Sequence, residues 1–416
     1  MLKKILLLSL GLLILSCTAR IKNKKVIRYM NPEGSVNQLN IMKLICSRYE
    51  KQNPDTRIEL MTGVKTDKIL STIASGSGLD VFFGFINIKD LISKKAVIPL
   101  DPFMEKYGFE RNDYFPLAID SLTWENKMYG LPVQTSVNAI AYNKTLLEQH
   151  GLPLPPQKWS FDEFYNYLSL LYKNQLNAEK QNKIYPINAF PFRDIFYGTV
   201  YRYMDMKTGI INKQARQILI KNFKKYQEIL KLYPRSAELS QISGGGVGGS
   251  TAIFRMQRSF LLECGAWMLP DLKEINSFDW DIVYLPEDES IDYCAATAYL
   301  SITSISRLAE DAYKFIHYYA SGFAADRFAA GKNGMSSRME ATEHFFTPPP
   351  KNIGVFINSA KKARVPIRLM LTGENEFFEK MQSSILDDFN YGRITPEKFT
   401  DELLKIADAC LKNEEQ

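Results

Sequence analysis

Between Val26 and Lys94 the apolar residues switch back and forth between two periods, and that alternation restricts the chain to one broad architecture. Val26-Ile27-Arg28-Tyr29-Met30 reads as a strand and Asn31 to Ser35 as the turn after it. Leu39, Met42, Cys46 and Tyr49 then recur at three- and four-residue steps, the spacing of a helix face. Asn53-Pro54-Asp55 ends that helix, and Arg57 to Met61 alternates as a second strand. A helix around Lys68 to Ala74, a turn at Ser75 to Gly78, the apolar strand Val81-Phe82-Phe83 and a helix from Ile88 to Lys94 complete the series. Repeated strand–helix units predict an α/β fold, with a mostly parallel sheet wrapped by helices. Ligands of such sheets gather at the carboxyl ends of the strands, here Asn31 to Ser35, Gly84 to Asn87 and the loop after Pro132.

The remaining chain is too long for the same core, since cores stop growing at about 250–300 residues, so a second domain is expected. An extended run covers Val133 to Tyr142, and a short helix covers Asn143 to His150. Ser160 and Glu163 form a capping box that opens a helix, and a helical middle runs to about Leu232. Strands are expected at Trp280 to Leu285 and Tyr299 to Ile305. Helices are expected at Ala309 to Ala320, near Glu376 to Phe389, and at Pro396 to Leu411. The glycine-rich run from Gly244 to Ser250 carries no Gly-Lys-Ser/Thr and follows no apolar strand. It is therefore read as a cleft-edge loop leading into a helix through Phe254, and not as a phosphate loop.

The amino terminus is a separate matter. Lys3 and Lys4 precede an apolar stretch from Ile5 to Leu15 that is too short to span a bilayer, and Ser16-Cys17 follows. The pattern resembles a bacterial lipoprotein signal cut before Cys17, with residues 1–16 removed and Cys17 acylated; a signal cut elsewhere without lipid is the alternative. Residues 17–25 then form a basic, lipid-anchored spacer, and the chain is expected at a membrane surface, on its periplasmic or extracellular face. The net charge of +6 falls to +4 without Lys3 and Lys4, too weak and too dispersed for nucleic acid. Cys46, Cys264, Cys294 and Cys410 form no CxxC pair and are expected as buried free thiols, with Cys264 and Cys294 the only pair to watch. His150, His317 and His344 are scattered, so no metal site and no cofactor is expected.

Several stretches, in order along nearly the whole mature chain, resemble the extracellular solute-binding proteins of ABC importers, the family typified by maltose-binding protein. They are SRYEKQNPDTRIEL, TIASGSGLDVFF, AVIPLDPFMEKYG, KMYGLPVQTSVNAIAYNKTLLEQHGL, PPQKWSFDEF, FLLECGAWMLPDLK, DWDIVYLPE, AYLSITSISRLAEDAYKFIHYYAS and GKNGMSSRMEA. The resemblance implies a periplasmic-binding-protein-like fold, two α/β domains joined by crossing hinge strands around a ligand cleft. Crossings are implied near Thr135 to Ala139, near Ala295 to Ala298 and after about Arg338. This places residues 26–137 with 298–338 in an N-terminal lobe and 138–297 with 339–416 in a C-terminal lobe. It further implies a monomer that captures a small solute, expected to be a carbohydrate, and delivers it to membrane permease subunits without chemistry of its own.

Sugars bind through flat aromatic faces and through amides, carboxylates and arginines in a water-poor cleft. The resemblance assigns Trp267, in Gly265-Ala266-Trp267, to stacking, and Phe192 and Arg193 to an aromatic contact region. Asn31 and Glu33 sit at the end of the first strand, and Phe85 and Asn87 at the end of the third. Gln134, Ser136 and Asn138 alternate by two and share one face of a continuous strand. Arg338 resembles the family's late cleft loop, with Ser336 in place of its usual proline, although a structural salt bridge is its more common role. Asp80 is read as mainly structural. Two alternatives remain: a phosphorylated polyol or other anion held by Arg193 or Arg338, and a secreted glycosidase using Glu33 and Asp80 as paired carboxylates.

Overall fold

The computed structural model describes residues 24–32, 36–64, 66–85, 87–179, 182–188, 192–205, 208–232, 247–291, 294–331, 334–366 and 373–411. In chain order the elements used below are β1 (Lys25–Asn31), α1 (Val36–Gln52), β2 (Thr56–Thr62), α2 (Thr66–Ala74), β3 (Val81–Gly84) and α3 (Ile88–Ser93). Next come β4 (Leu131–Ser136), β5 (Asn138–Asn143), α4 (Phe161–Asn174), β6 (Tyr185–Asn188), α5 (Phe192–Tyr201) and α6 (Arg216–Leu230). They are followed by α7 (Val247–Arg255), β7 (Ser259–Gly265), β8 (Trp280–Val283), β9 (Cys294–Ile302) and α8 (Ala309–Ala320). The last are β10 (Met335–Ser336), α9 (Gly354–Lys362), β11 (Val365–Pro366), α10 (Glu374–Met381) and α11 (Pro396–Cys410).

The strands form two main sheets. The first has the order β10-β4-β9-β3-β1-β2, with β11 attached to the start of β9. Strands β1, β2 and β3 pair in parallel, as their helical crossovers demand. Here the mostly parallel expectation gives way: β9 runs antiparallel to both β3 and β4, because it enters from the second unit and not through a local crossover helix. The second sheet, β8-β5-β7-β6, is antiparallel except for the β6–β7 pair.

Both sheets carry helices on both faces. In β1, Tyr29 packs with Met42 and Tyr49 of α1 and Phe315 of α8, while its neighbour Met30 packs on the other side with Ile69 and Ile73 of α2. In β5, Ile140 and Tyr142 face the core of α4, α6 and α11, while Ala139 and Ala141 face Phe254 of α7 and Phe356 of α9. Every residue of β4 and β5 is buried, as strands covered on both faces should be.

These two strands are where one unit passes into the other. The run expected as a single strand from Val133 to Tyr142 divides at Val137. Ser136 ends β4 opposite Ala296 in the first sheet, and Asn138 opens β5 opposite Gly265 in the second. Helix α4 begins with the expected capping box: Ser160 Oγ accepts from the Glu163 amide at 3.2 Å, and Glu163 Oε2 accepts from the Ser160 amide at 2.7 Å. The four described cysteines are buried free thiols, and burial pushes the Cys264 thiol well above its ordinary range. Among the described residues no helix is long and apolar enough to cross a membrane.

Candidate functional site

The ends of β3 and β4, the start of β5 and the turn after β7 hold Phe85, Asn87, Gln134, Ser136, Asn138 and Trp267 beside the crossing from one sheet to the other. Trp267 lies in the single turn Ala266–Met268 that follows β7, and it is 37% exposed among otherwise buried neighbours. Its ring rests on Gly265: a Cβ there would lie 2.1 Å from the indole. Glycine at this position lets the indole lie flat with one face on backbone, the geometry of a stacking platform. Gly265 is the cross-strand partner of Asn138, so the platform adjoins the polar residues of the crossing.

Asn138 is 6% exposed and donates through Nδ2 to Glu263 Oε1 at 2.5 Å; its Oδ1 is buried without a partner. Glu263 sits in β7 one residue before Cys264 and two before Gly265, on the same face of the strand as Gly265. The sequence pattern did not single it out. Its one signal was a lone carboxylate in an otherwise apolar strand, Phe260-Leu261-Leu262-Glu263-Cys264.

Gln134 and Ser136 are buried in β4. Gln134 pairs with Ala298 on one side and Ser336 on the other, and its amide lies over Gly334, whose φ is +120°. A Cβ on Gly334 would fall 2.0 Å from Gln134 Nε2, so that glycine leaves the space this amide occupies. Gln134, Ser136 and Asn138 therefore do not share one strand face as the alternation suggested; the break at Val137 assigns the first two to one sheet and the third to the other.

At the end of β3, Phe85 is half-buried and meets Phe83 edge-on at 5.1 Å. Asn87 is buried and caps α3, its Oδ1 accepting from the Lys89 amide at 2.9 Å. Its Nδ2 donates to Glu374 Oε2 at 2.8 Å. Beside it, burial pushes the Asp90 carboxyl above its ordinary range against the pull of Lys94 and Lys89.

Other nominated residues are committed elsewhere. Asn31 turns into the core, donating to Tyr29 Oη at 2.7 Å and contacting Met42 Sδ. The Arg338 guanidinium is shared between Glu340 at 2.6 Å and Asp113 at 3.7 Å. Asp80 is structural, as expected: Oδ2 accepts from the Arg28 amide at 2.9 Å and Oδ1 from Ser306 Oγ at 2.5 Å. Glu33 and Cys17 lie outside the described residues. Phe192 and Arg193 open α5, and their side chains also lie outside the described set.

Two helix-wrapped sheets, joined by strands that pass from one to the other beside an aromatic and polar seam, define a two-lobed, periplasmic-binding-protein-like α/β fold. A family model described as "Bacterial extracellular solute-binding protein" matches residues 34–180. Among solved structures, an ABC substrate-binding protein from Listeria monocytogenes in complex with cycloalternan superposes with a TM-score of 0.77 at 18% identity, covering 93% of this chain and 98% of that one. The GacH receptor of Streptomyces glaucescens GLA.O, crystallised unliganded and with acarbose, gives 0.75 at 16% identity over 93% and 98% of the two chains. The protein CpMnBP1 with mannotriose bound gives 0.74 at 18% identity over 92% and 100%. In sequence, a maltotriose-binding protein from Pyrococcus abyssi is 24% identical over 258 residues, 60% of this chain. The chain spans 51% of the length of that relative. The resemblance to extracellular solute-binding proteins and the fold expected from it both hold.

Proposed function

We propose that this chain is the solute-binding component of an ABC importer, capturing a sugar or oligosaccharide between its lobes and delivering it to membrane permease subunits. The observation that carries the reading is Trp267, a large indole left 37% exposed and laid flat on Gly265 beside Asn138 and Glu263. A flat apolar face next to paired amide and carboxylate groups matches the two surfaces of a pyranose ring. The ligands named for the related structures, cycloalternan, acarbose and mannotriose, support the same class. The lobes are taken as residues 26–137 with 298–338 and 138–297 with 339–416, and they close by hinge motion about the crossing at Val137.

The rival readings each lose a group. The anion reading keeps Arg193 but not Arg338, whose charge is already met by Glu340 and Asp113. The glycosidase reading needs two carboxylates in one cleft, and Asp80 is spent on Arg28 and Ser306. The protein is accordingly read as a carrier without chemistry of its own.

A thermal-shift screen of the chain from Thr18 against mono-, di- and oligosaccharides, glycerol phosphates, amino acids and oligopeptides tests this. A bound ligand stabilises the folded state by about 2.7 kcal/mol at a hundredfold excess over its Kd. A rise in Tm with one sugar class is expected; a rise only with phosphates or peptides would overturn the substrate class. We further propose that Cys17 carries the lipid anchor. Cys17→Ser should move the exported chain from the membrane fraction to the soluble fraction, and continued membrane retention would refute the anchor.

A further inference from the structure

The hydrogen bond between Asn87 and Glu374 joins the two helix-wrapped units deep in the molecule. Asn87 belongs to the first: it follows β3, and the adjacent Ile88 packs with Met30, Phe82 and Tyr299. Glu374 belongs to the second: it opens α10, whose Phe377, Phe378 and Met381 pack with Ile140 and Leu261 of the second sheet. Asn87 is 2% exposed and Glu374 0%, so their 2.8 Å contact is made away from solvent. A carboxylate held that deep is costly unless hydrogen-bonded.

The polarity of the contact is fixed from the Asn87 side. Its Oδ1 accepts from the Lys89 amide as the cap of α3, so only Nδ2 can face Glu374, and Glu374 must accept. Glu374 is delivered by an unusual approach. Gly373 has φ +82°, and a Cβ there would lie 2.0 Å from the Cys410 carbonyl oxygen at the end of α11. Only glycine lets the chain pass this close to α11 before turning into α10.

We infer that Asn87 and Glu374 form a lobe-to-lobe latch that stabilises the closed arrangement and thereby sets how tightly the cleft holds its solute. This rests on the proposed reading that the lobes close over a solute. A ligand that binds only the closed form has its apparent affinity scaled by the closed population, so the latch acts on affinity without touching the ligand.

Asn87→Asp tests the latch. Aspartate caps a helix as well as asparagine, so α3 is retained, while the oxygen that replaces Nδ2 meets the Glu374 carboxylate and repels it at alkaline pH, where the two carboxyls no longer share a proton. Small-angle X-ray scattering of the chain without added sugar should give a larger radius of gyration than the wild type. Maltotriose and mannotriose, measured by calorimetry, should bind roughly tenfold more weakly. Combining Asn87→Asp with Glu374→Gln reverses the polarity, because the introduced glutamine amide donates to the introduced aspartate. The double variant should recover both the compact scattering and the affinity. Unchanged scattering in Asn87→Asp, or a double variant that stays expanded, would overturn the latch. Scattering needs no ligand, so failure of both trisaccharides to bind the wild type would count against the sugar reading and leave the latch to the scattering alone.

Discussion

Replacing Trp267 with alanine is expected to weaken binding of the cognate sugar by roughly thirtyfold, equivalent to about 2 kcal/mol of lost stacking and apolar burial. The melting temperature without ligand should fall by only a few degrees, because one face of the indole is left to solvent and only the contact with Gly265 and its surroundings is lost from the fold. Calorimetric titration and a thermal melt of the same sample check both halves. A collapse of the melt would reassign Trp267 to the core. Gly265→Ala gives an independent reading: its methyl group would occupy the space of the indole, 2.1 Å from the nearest ring atom, so the ring must lift. Affinity should fall although residue 265 has no side chain with which to touch the ligand.

The largest effect on stability is expected at Asp80. Its carboxylate accepts from the Arg28 amide and Ser306 Oγ, and its backbone closes two further links, to the Arg28 carbonyl at 3.1 Å and from the Thr303 amide at 3.0 Å. The residue thus ties β1 to the segment after β9 across the start of β3. Asp80→Ala keeps the backbone links but leaves the Arg28 amide without its acceptor, and should cost about 3 kcal/mol in urea unfolding. Asp80→Asn keeps one acceptor oxygen and should cost less. If alanine at this position abolished ligand binding while the unfolding midpoint stayed in place, Asp80 would be a cleft residue and the structural assignment would fail.

What the sequence revealed divides by distance along the chain. The capping box at Ser160 and Glu163 needs only neighbouring residues, and it was legible with its partners. Helix Ala309–Ala320 likewise matches its expected limits. The residue pattern marked strand β9 only from Tyr299, because Ala295, Ala296 and Ala298 carry none of the β-branched or aromatic character of a strand; the crossing near Ala295 to Ala298 came from the resemblance alone, and the strand begins at Cys294. The carboxylates Glu263 and Glu374 were missed for a different reason. Their amide partners lie 125 and 287 residues away, and no local pattern announces such a pairing. Asn31 does end β1, but its side chain is bound to Tyr29, and the guanidinium of Arg338 is held by Glu340 and Asp113. Position along a strand told which residues stand at its end; it did not tell which way each side chain turns.

The insertion of β9 between β3 and β4 has a consequence in time. The first sheet is split down its middle until β9 arrives, since β9 is the only strand in the described sheet order that joins β3 to β4. A ribosome adding about 5–20 residues per second needs on the order of 10–40 s to travel from the end of β3 to the end of β9. From the time each is made until β9 follows, β3 and β4 present bare edges to the cell, and α8, which covers one face, has not yet been made. The nascent chain therefore remains in a state that a holdase can grip until β9 has been made, and assembly of the first sheet waits for that strand.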